Sequence, residues 1–193
     1  LRGWYFPKDK NYQFTQDNFS YRIPTWESHL QSLVDRVGLK ILEIGNNQGM
    51  STCWMLDKLL TDDSAKLVCV DTEFAEEFHS NIVRTGAGGK VRKLEGDIHE
   101  HLTNLESNFY DLINIQDKRK FPKHIKQNAE LAWLLLKVDG LLIFNDYQRH
   151  NPNYSKCKPQ IGIDEFLNSV KDKFKILYQD AASHQLIIQK IKD

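Results

Sequence analysis

Residues 40–52 run Lys-Ile-Leu-Glu-Ile-Gly-Asn-Asn-Gln-Gly-Met-Ser-Thr, so that one acid, Glu43, is followed closely by two glycines and then by two hydroxyl residues. Gly45 and Gly49 permit a tight turn, and Ser51 and Thr52 can open a helix behind it. Such a loop aims free backbone N–H groups and the positive end of a helix dipole at one place, which favours an anionic or polar ligand edge. The Glu43 carboxylate adds an acceptor beside it. Two better-known fingerprints fail here: a dinucleotide loop counted from Gly45 needs glycine where Asn47 and Met50 stand, and no Gly-Lys-Ser/Thr follows for a phosphate loop. A nucleotide-like ligand without a pyrophosphate fits better.

Further acids fall at the ends of later apolar runs. Asp71 closes the run at 67–70, 26 positions after Gly45, near the spacing at which a strand-end acid accepts two ribose hydroxyls; its plainer reading is a cap for the next helix. Asp97 follows the alternating stretch 91–95 and either meets an adenine amino group or caps the helix carrying Leu102 and Leu105. Asp117 and Asp146 follow the runs at 109–115 and 141–144.

Positioning these residues takes a strand-loop-helix unit repeated along the chain. Ile41, Leu42 and Ile44 suit a strand buried on both faces, and the runs at 67–70, 109–115 and 141–144 read the same way, whereas 91–95 alternates like a strand nearer an edge. Helical spacing is expected from Pro24 to Gly38, from the glycine loop to about residue 61, over 74–84, around Leu102, over 122–137 and from Ile163 to Val170. Five strands alternating with helices imply a parallel sheet covered on both faces. Two last strands, at 174–178 and 185–189, are joined too briefly for a helical crossover and must form an antiparallel hairpin at the end of the sheet. Residues 1–23 carry seven aromatics without a period; they are expected to pack onto the domain or over a pocket. The polar loop 147–159 is long, as binding loops are.

With 193 residues, 40% hydrophobic and 11% aromatic, the chain suits one domain, 1–193, made of the aromatic segment 1–23 and a core from 24 onward. Its 26 basic and 26 acidic residues cancel, and without a basic stripe nucleic-acid binding has no electrostatic support. Three cysteines lack Cys-x-x-Cys spacing; Cys53 and Cys69 read as small core residues and Cys157 as a loop residue. No apolar run approaches the ~20 residues of a membrane span and no signal-peptide core is present, so the expected compartment is the cytoplasm.

A parallel sheet, an acid and glycines after the first strand, acids after the second and third, and a terminal hairpin together resemble the class I S-adenosylmethionine-dependent methyltransferases, a Rossmann-like α/β fold with a seven-stranded, mostly parallel sheet. Within that class, 41–45 (Ile-Leu-Glu-Ile-Gly), 49–54 (Gly-Met-Ser-Thr-Cys-Trp), 135–147 (Leu-Leu-Lys-Val-Asp-Gly-Leu-Leu-Ile-Phe-Asn-Asp-Tyr), 162–167 (Gly-Ile-Asp-Glu-Phe-Leu) and 23–26 (Ile-Pro-Thr-Trp) are similar to the small bacterial methyltransferase family 24. The resemblance implies S-adenosylmethionine as cofactor. Glu43, Gly45, Asn46, Asn47, Gln48 and Gly49 would wrap its methionine part, Asp71 would hold the ribose, and Asp97 with Ile98 would contact the adenine. Ser51, Thr52, Thr72 and Gln116 complete the expected set.

Where many relatives end the fourth strand in Ile-Asp-Gly-x-His and the fifth in Asp-Asp-Tyr, this chain has Gln116, Asp117 and Arg119, then Asn145, Asp146 and Tyr147. A neutral amide cannot act as a general base and weakens a hard-cation site, so no obligatory metal is expected and magnesium has only Asp117 and Asp146 to hold it. Asp146, Asp117 or His150 could take a proton from a small hydroxylated acceptor, sugar-like or glycosylated. The altered strand ends keep a second reading beside the enzyme: a cofactor-binding module without catalysis, acting as a sensor or partner subunit. A nicotinamide-dependent oxidoreductase shares the strand-loop-acid geometry but lacks its glycines.

Overall fold

The computed structural model describes residues 6–116, 121–149 and 158–193. Asp117, Lys118, Arg119, Lys120, His150 and Cys157 lie outside the described residues, as do Trp4 and Tyr5. The regular elements follow as α1 (Ile23–His29), β1 (Lys40–Ile44), α2 (Met50–Lys58), β2 (Lys66–Asp71), α3 (Glu76–Thr85), β3 (Val91–Glu95), α4 (Ile98–Thr103), β4 (Tyr110–Ile115), α5 (Pro122–Leu135), β5 (Leu136–Phe144), α6 (Pro159–Ser169), β6 (Phe174–Asp180) and β7 (Gln185–Lys190). They build one seven-stranded sheet in the order β3-β2-β1-β4-β5-β7-β6. The first five strands are parallel; β7 runs antiparallel to both β5 and β6. Strand order therefore reverses between β1 and β4, and a ligand crevice opens at the carboxyl ends of strands beside such a switch.

Alternation along the strands explains their apolar runs. Ile41, Leu67, Cys69, Leu112, Ile143 and Ile187 pack under α1, α2 and α3, while Leu42, Ile44, Val68, Val70, Ile113, Phe144 and Ile188 pack under α4, α5 and α6. With both faces covered, neither side of a central strand can be polar without a partner. β3, at the sheet edge, is mostly half-buried or exposed, as its alternating sequence predicts.

Two elements depart from the sequence pattern. The expected helix from Pro24 to Gly38 ends at His29; a single 3-10 turn, Gln31–Leu33, follows, and Val34 is extended. Trp26, Leu30 and Leu33 are still buried, because an α-turn followed by a 3-10 turn places these three on one side as well as a continuous helix does. Val37, which a continuous helix would set beside them, is 78% exposed. The second departure is β5, which starts directly from α5 at Leu136 rather than at 141. Its pairing with β4 jumps from Tyr110↔Leu136 to Leu112↔Leu141, so residues 137–140 bulge out, with Asp139 at φ 67.

The helix-to-strand junction without a loop leaves helix-end carbonyls pointing inward. The buried Lys190 on β7 answers them: its Nζ donates to Trp133 O (3.2 Å) and Leu136 O (3.0 Å) and lies 5.1 Å from the Trp133 ring centre. A cation at a helix C-terminus also meets the negative end of its dipole. The described residues include no helix long and apolar enough to cross a membrane.

Replacing Lys190 by Met should leave both carbonyls buried and unsatisfied and lower the unfolding free energy by about 2–3 kcal/mol. Urea denaturation of Lys190→Met beside the exposed control Lys192→Met measures this; equal midpoints would refute it.

Candidate active site

Glu43, the fourth residue of β1, is fully buried with its side chain on the α1–α3 face. Four side chains donate to its carboxylate: the Ser51 and Thr52 hydroxyls from the first turn of α2, Asn46 Nδ2 at 2.7 Å from the glycine loop, and Asn114 Nδ2 at 2.9 Å from β4. Burial pushes the Glu43 pKa up, while these four donors act in the opposite direction by favouring the charged form. The loop is thus bound to the strand by a carboxylate, and both ends of the Glu-Ile-Gly-Asn-Asn-Gln-Gly turn are held in place.

The turn itself needs its glycines. Gly45 and Gly49 have φ of 81° and 84°, and Asn47, at φ 49°, occupies the same left-handed region, which asparagine tolerates better than most residues. A Cβ on Gly49 would sit 3.0 Å from Phe78 Cδ2, so α3 packs against the loop where a side chain would intrude. Gly49 N closes the turn on Asn46 O at 2.8 Å. Gln48 O accepts from Asn81 Nδ2 at 2.9 Å, and the Gln48 side chain pairs with both the backbone N–H (2.9 Å) and the hydroxyl (2.8 Å) of Thr15.

At the end of β2, Asp71 Oδ2 accepts the backbone N–H of Asn46 at 2.9 Å, and Oδ1 accepts that of Thr72 at 2.8 Å. Asp71 therefore lies directly beside the glycine loop, as the strand order demands. Asp97 Oδ1 accepts Glu100 N at 2.9 Å, the helix-cap arrangement, and Ile98 is buried against the α4 side of the sheet. Gln116 directly follows β4; its N–H bonds to Ile44 O at 2.7 Å, which sets it next to the loop.

A row of polar side chains continues from Glu43 across the sheet. Asn114 Oδ1 accepts from Asn145 Nδ2 at the end of β5, and Asn145 Oδ1 accepts from Gln185 Nε2 on β7 at 2.6 Å. All four are buried. The orientation follows from chemistry: the Glu43 carboxylate takes the Asn114 N–H, so the Asn114 oxygen must face residue 145, which must then present a donor. Asn145 satisfies that demand, whereas a carboxylate there would face an oxygen.

Asp146, next in sequence, is also buried. Arg149 Nη1 approaches its Oδ1 at 3.2 Å and Arg22 Nη2 at 3.9 Å. Arg22, from the 3-10 turn Ser20–Arg22 of the aromatic segment, is 1% exposed and donates to Asn145 O at 2.6 Å and Asn18 O at 3.3 Å. Burial lowers its pKa; Tyr21 and Asp146 act against that shift. Tyr147 donates its hydroxyl to Asp164 at 2.7 Å, and burial, with that bond, raises its pKa to about 12.

The structure thus brings Glu43, the glycine loop, Ser51, Thr52, Asp71, Thr72 and Gln116 to one end of the sheet, with Asp146 further along the same edge. Asp117 and His150 lie outside the described residues. Among the described residues no group of three or more His, Cys, Asp or Glu side chains could hold a metal ion. Sequence reading overlooked Asn114, Gln185 and Arg22. Asn114 had a readable signal, a lone amide between Ile113 and Ile115 in a strand buried on both faces, where an unpartnered polar group would be costly. The other two carried none, because the bonds that bring them to Asn145 span 40 and 123 positions.

Asn145→Asp tests the polarity of the row. Below its ordinary value near 3.9 the new carboxyl keeps a proton for Asn114 Oδ1; its folded-state pKa is raised, so the stability held at low pH is lost as pH rises through that value. Relative to wild type, the variant should lose about 2 kcal/mol between pH 4 and pH 7. Parallel pH-dependent denaturation curves for the two proteins would contradict the assigned orientation.

The pattern of a methyltransferase domain, family 24, matches residues 42–147, more than half of the chain. No curated protein sequence matches. Among solved structures, an O-methyltransferase from Bacillus cereus in complex with S-adenosylhomocysteine is 24% identical over 88% of this chain and 81% of its own, with a TM-score of 0.66. The O-methyltransferase TomG from Streptomyces achromogenes, involved in tomaymycin synthesis and solved with S-adenosylmethionine, is 19% identical over 79% and 73%, at 0.64. The S-adenosylhomocysteine-bound methyltransferase PaMTH1 from Podospora anserina is 21% identical over 97% and 83%, at 0.61. These structures share the fold, and the chain belongs to the class I S-adenosylmethionine-dependent methyltransferases, in methyltransferase family 24.

Proposed function

We propose that this chain transfers a methyl group from S-adenosylmethionine to a hydroxyl oxygen of a small acceptor, sugar-like or glycosylated. The observation that carries the cofactor half is the cradle at the strand switch, where Asp71 and the Glu43-anchored glycine loop share a hydrogen bond through Asn46 N. The donor set fits. Asn46 Oδ1 is a buried acceptor without a partner among the described residues, suited to an ammonium group, and a strand-end acid beside the loop, Asp71, supports a ligand with two vicinal hydroxyls. Bound there, the cofactor would supply an already activated sulfonium methyl group.

Little acid-base work is left for the protein, so holding an acceptor oxygen in line supplies much of the rate. In this reading Asp146 takes the acceptor's proton, as the described carboxylate at the end of β5. Oxygen as the target atom is supported by the O-methyltransferases from Bacillus cereus and Streptomyces achromogenes that share the fold. The second reading, a cofactor-binding module that transfers nothing, is favoured by one observation: at the end of β5 a neutral amide, Asn145, already bonded to Asn114 and Gln185, cannot act as a base.

Calorimetric titration with S-adenosylhomocysteine should show binding that Asp71→Asn weakens by about tenfold, or ~1.4 kcal/mol; absence of binding by the wild type would refute the cofactor reading. Labelled methyl incorporation from S-adenosylmethionine into a small-molecule extract separates enzyme from module. Incorporation above a heat-killed control is expected, and binding without incorporation would leave the module standing.

A further inference from the structure

We infer that Arg22 is a positioning residue for methyl transfer, holding the Asn145–Asp146 corner through the N-terminal segment that also covers the cofactor loop. This inference rests on the methyltransferase reading above. One continuous segment links the two halves of the site. Gln13 exchanges hydrogen bonds with Asn81 at 2.7 and 2.9 Å, Thr15 pairs with Gln48 on the glycine loop, and seven residues later Arg22 reaches the end of β5. Phe19, between them, stacks edge-on against Trp26 (4.8 Å) and Trp54 (6.2 Å), so the segment is anchored in the core.

Arg22 is poorly accounted for as a structural group. Withdrawing a guanidinium from water costs several kcal/mol unless hydrogen bonds and charge partners answer it, and here the answers are incomplete. Nε is buried without a partner among the described residues, and the carboxylate of Asp146 is 3.9 Å away, closer to Arg149 than to Arg22. The Asn145 carbonyl is met at 2.6 Å and the Asn18 carbonyl at 3.3 Å, and the exposed Tyr21 adds a side-chain hydrogen bond, its ring centre 4.9 Å from the guanidinium carbon. Deleting the charge would not strand Asp146, which keeps Arg149. A well-packed apolar side chain in such a place is often neutral or stabilising.

What Arg22 does achieve is geometric. Asn145 is fixed by its amide to the Glu43 row and by its carbonyl to Arg22, so the backbone that carries Asp146 is held from two sides. Misplacing a reacting group by an ångström can cost on the order of 100-fold in rate without changing what is bound. The corner lies away from the Asp71 and Gly45 end, so cofactor affinity should not depend on it.

Arg22→Met and Arg22→Lys in the full chain test this, with kcat and KM for methyl incorporation into the extract, calorimetry with S-adenosylhomocysteine, and thermal denaturation measured together. Arg22→Met should lose about 30-fold or more in kcat with cofactor affinity within twofold and the melting temperature at or above the wild-type value; Arg22→Lys should recover part of kcat. An unchanged kcat in Arg22→Met would overturn the inference, and so would a loss of activity matched by a falling melting temperature in both variants, which marks a merely structural residue. Wild-type protein that binds S-adenosylhomocysteine but incorporates no methyl would instead sink the enzyme reading, and this inference with it.

Discussion

A carboxylate without water around it has to be given hydrogen-bond donors, and the way Glu43 obtains its four decides the layout of this end of the molecule. Two come from the first turn of α2, where the helix dipole also favours negative charge. One comes from the glycine loop and one from β4. A single buried charge therefore ties strand, turn, helix and neighbouring strand to one point. Loss of the carboxylate would leave four buried donors to satisfy, which makes the loop's shape a property of the core and not of the loop residues alone.

The same demand is handed on across the sheet. Because Asn114 spends its N–H on Glu43, its oxygen dictates a donor at 145, and Asn145 in turn offers its oxygen to Gln185. Polarity is transmitted from the glycine-loop strand toward β7 through neutral amides, each fully buried. This gives a physical reason for an amide at position 145: in this row a second charge would face an oxygen, and its nearest compensation, Arg22, is already engaged with the backbone.

Arg22 and Glu43 are opposite solutions to buried charge. Glu43 is saturated by hydrogen bonds and makes sense as architecture. Arg22 has a short contact to Asn145, a longer one to Asn18, a hydrogen bond with the exposed Tyr21, a distant carboxylate and an Nε without a partner among the described residues, an arrangement whose worth lies in where it holds the end of β5. The aromatic segment that delivers it is clipped to the glycine loop through Thr15 and Gln48, so both halves of the site share a cover whose residues come from before the first strand.

The sequence by itself determined the parallel sheet, its terminal hairpin and the glycine loop beside a strand-end acid, because these depend on local rules. Apolar runs bounded by Gly45, Gly49, Asp71 and Asp97 carry strand ends, turns and caps within a few residues of one another, and the spacing from loop to acid reflects one βαβ unit. Tertiary structure alone decided the rest. The 3-10 turn after α1 and the bulge at 137–140 bury much the same residues that the longer helix and shorter strand would, so periodicity could not distinguish them. The row from Glu43 to Gln185 and the reach of Arg22 to Asn145 join residues 31 to 123 positions apart. Hydrogen bonds of that kind exist only once the sheet has set the strands side by side, and no local pattern in the chain encodes them.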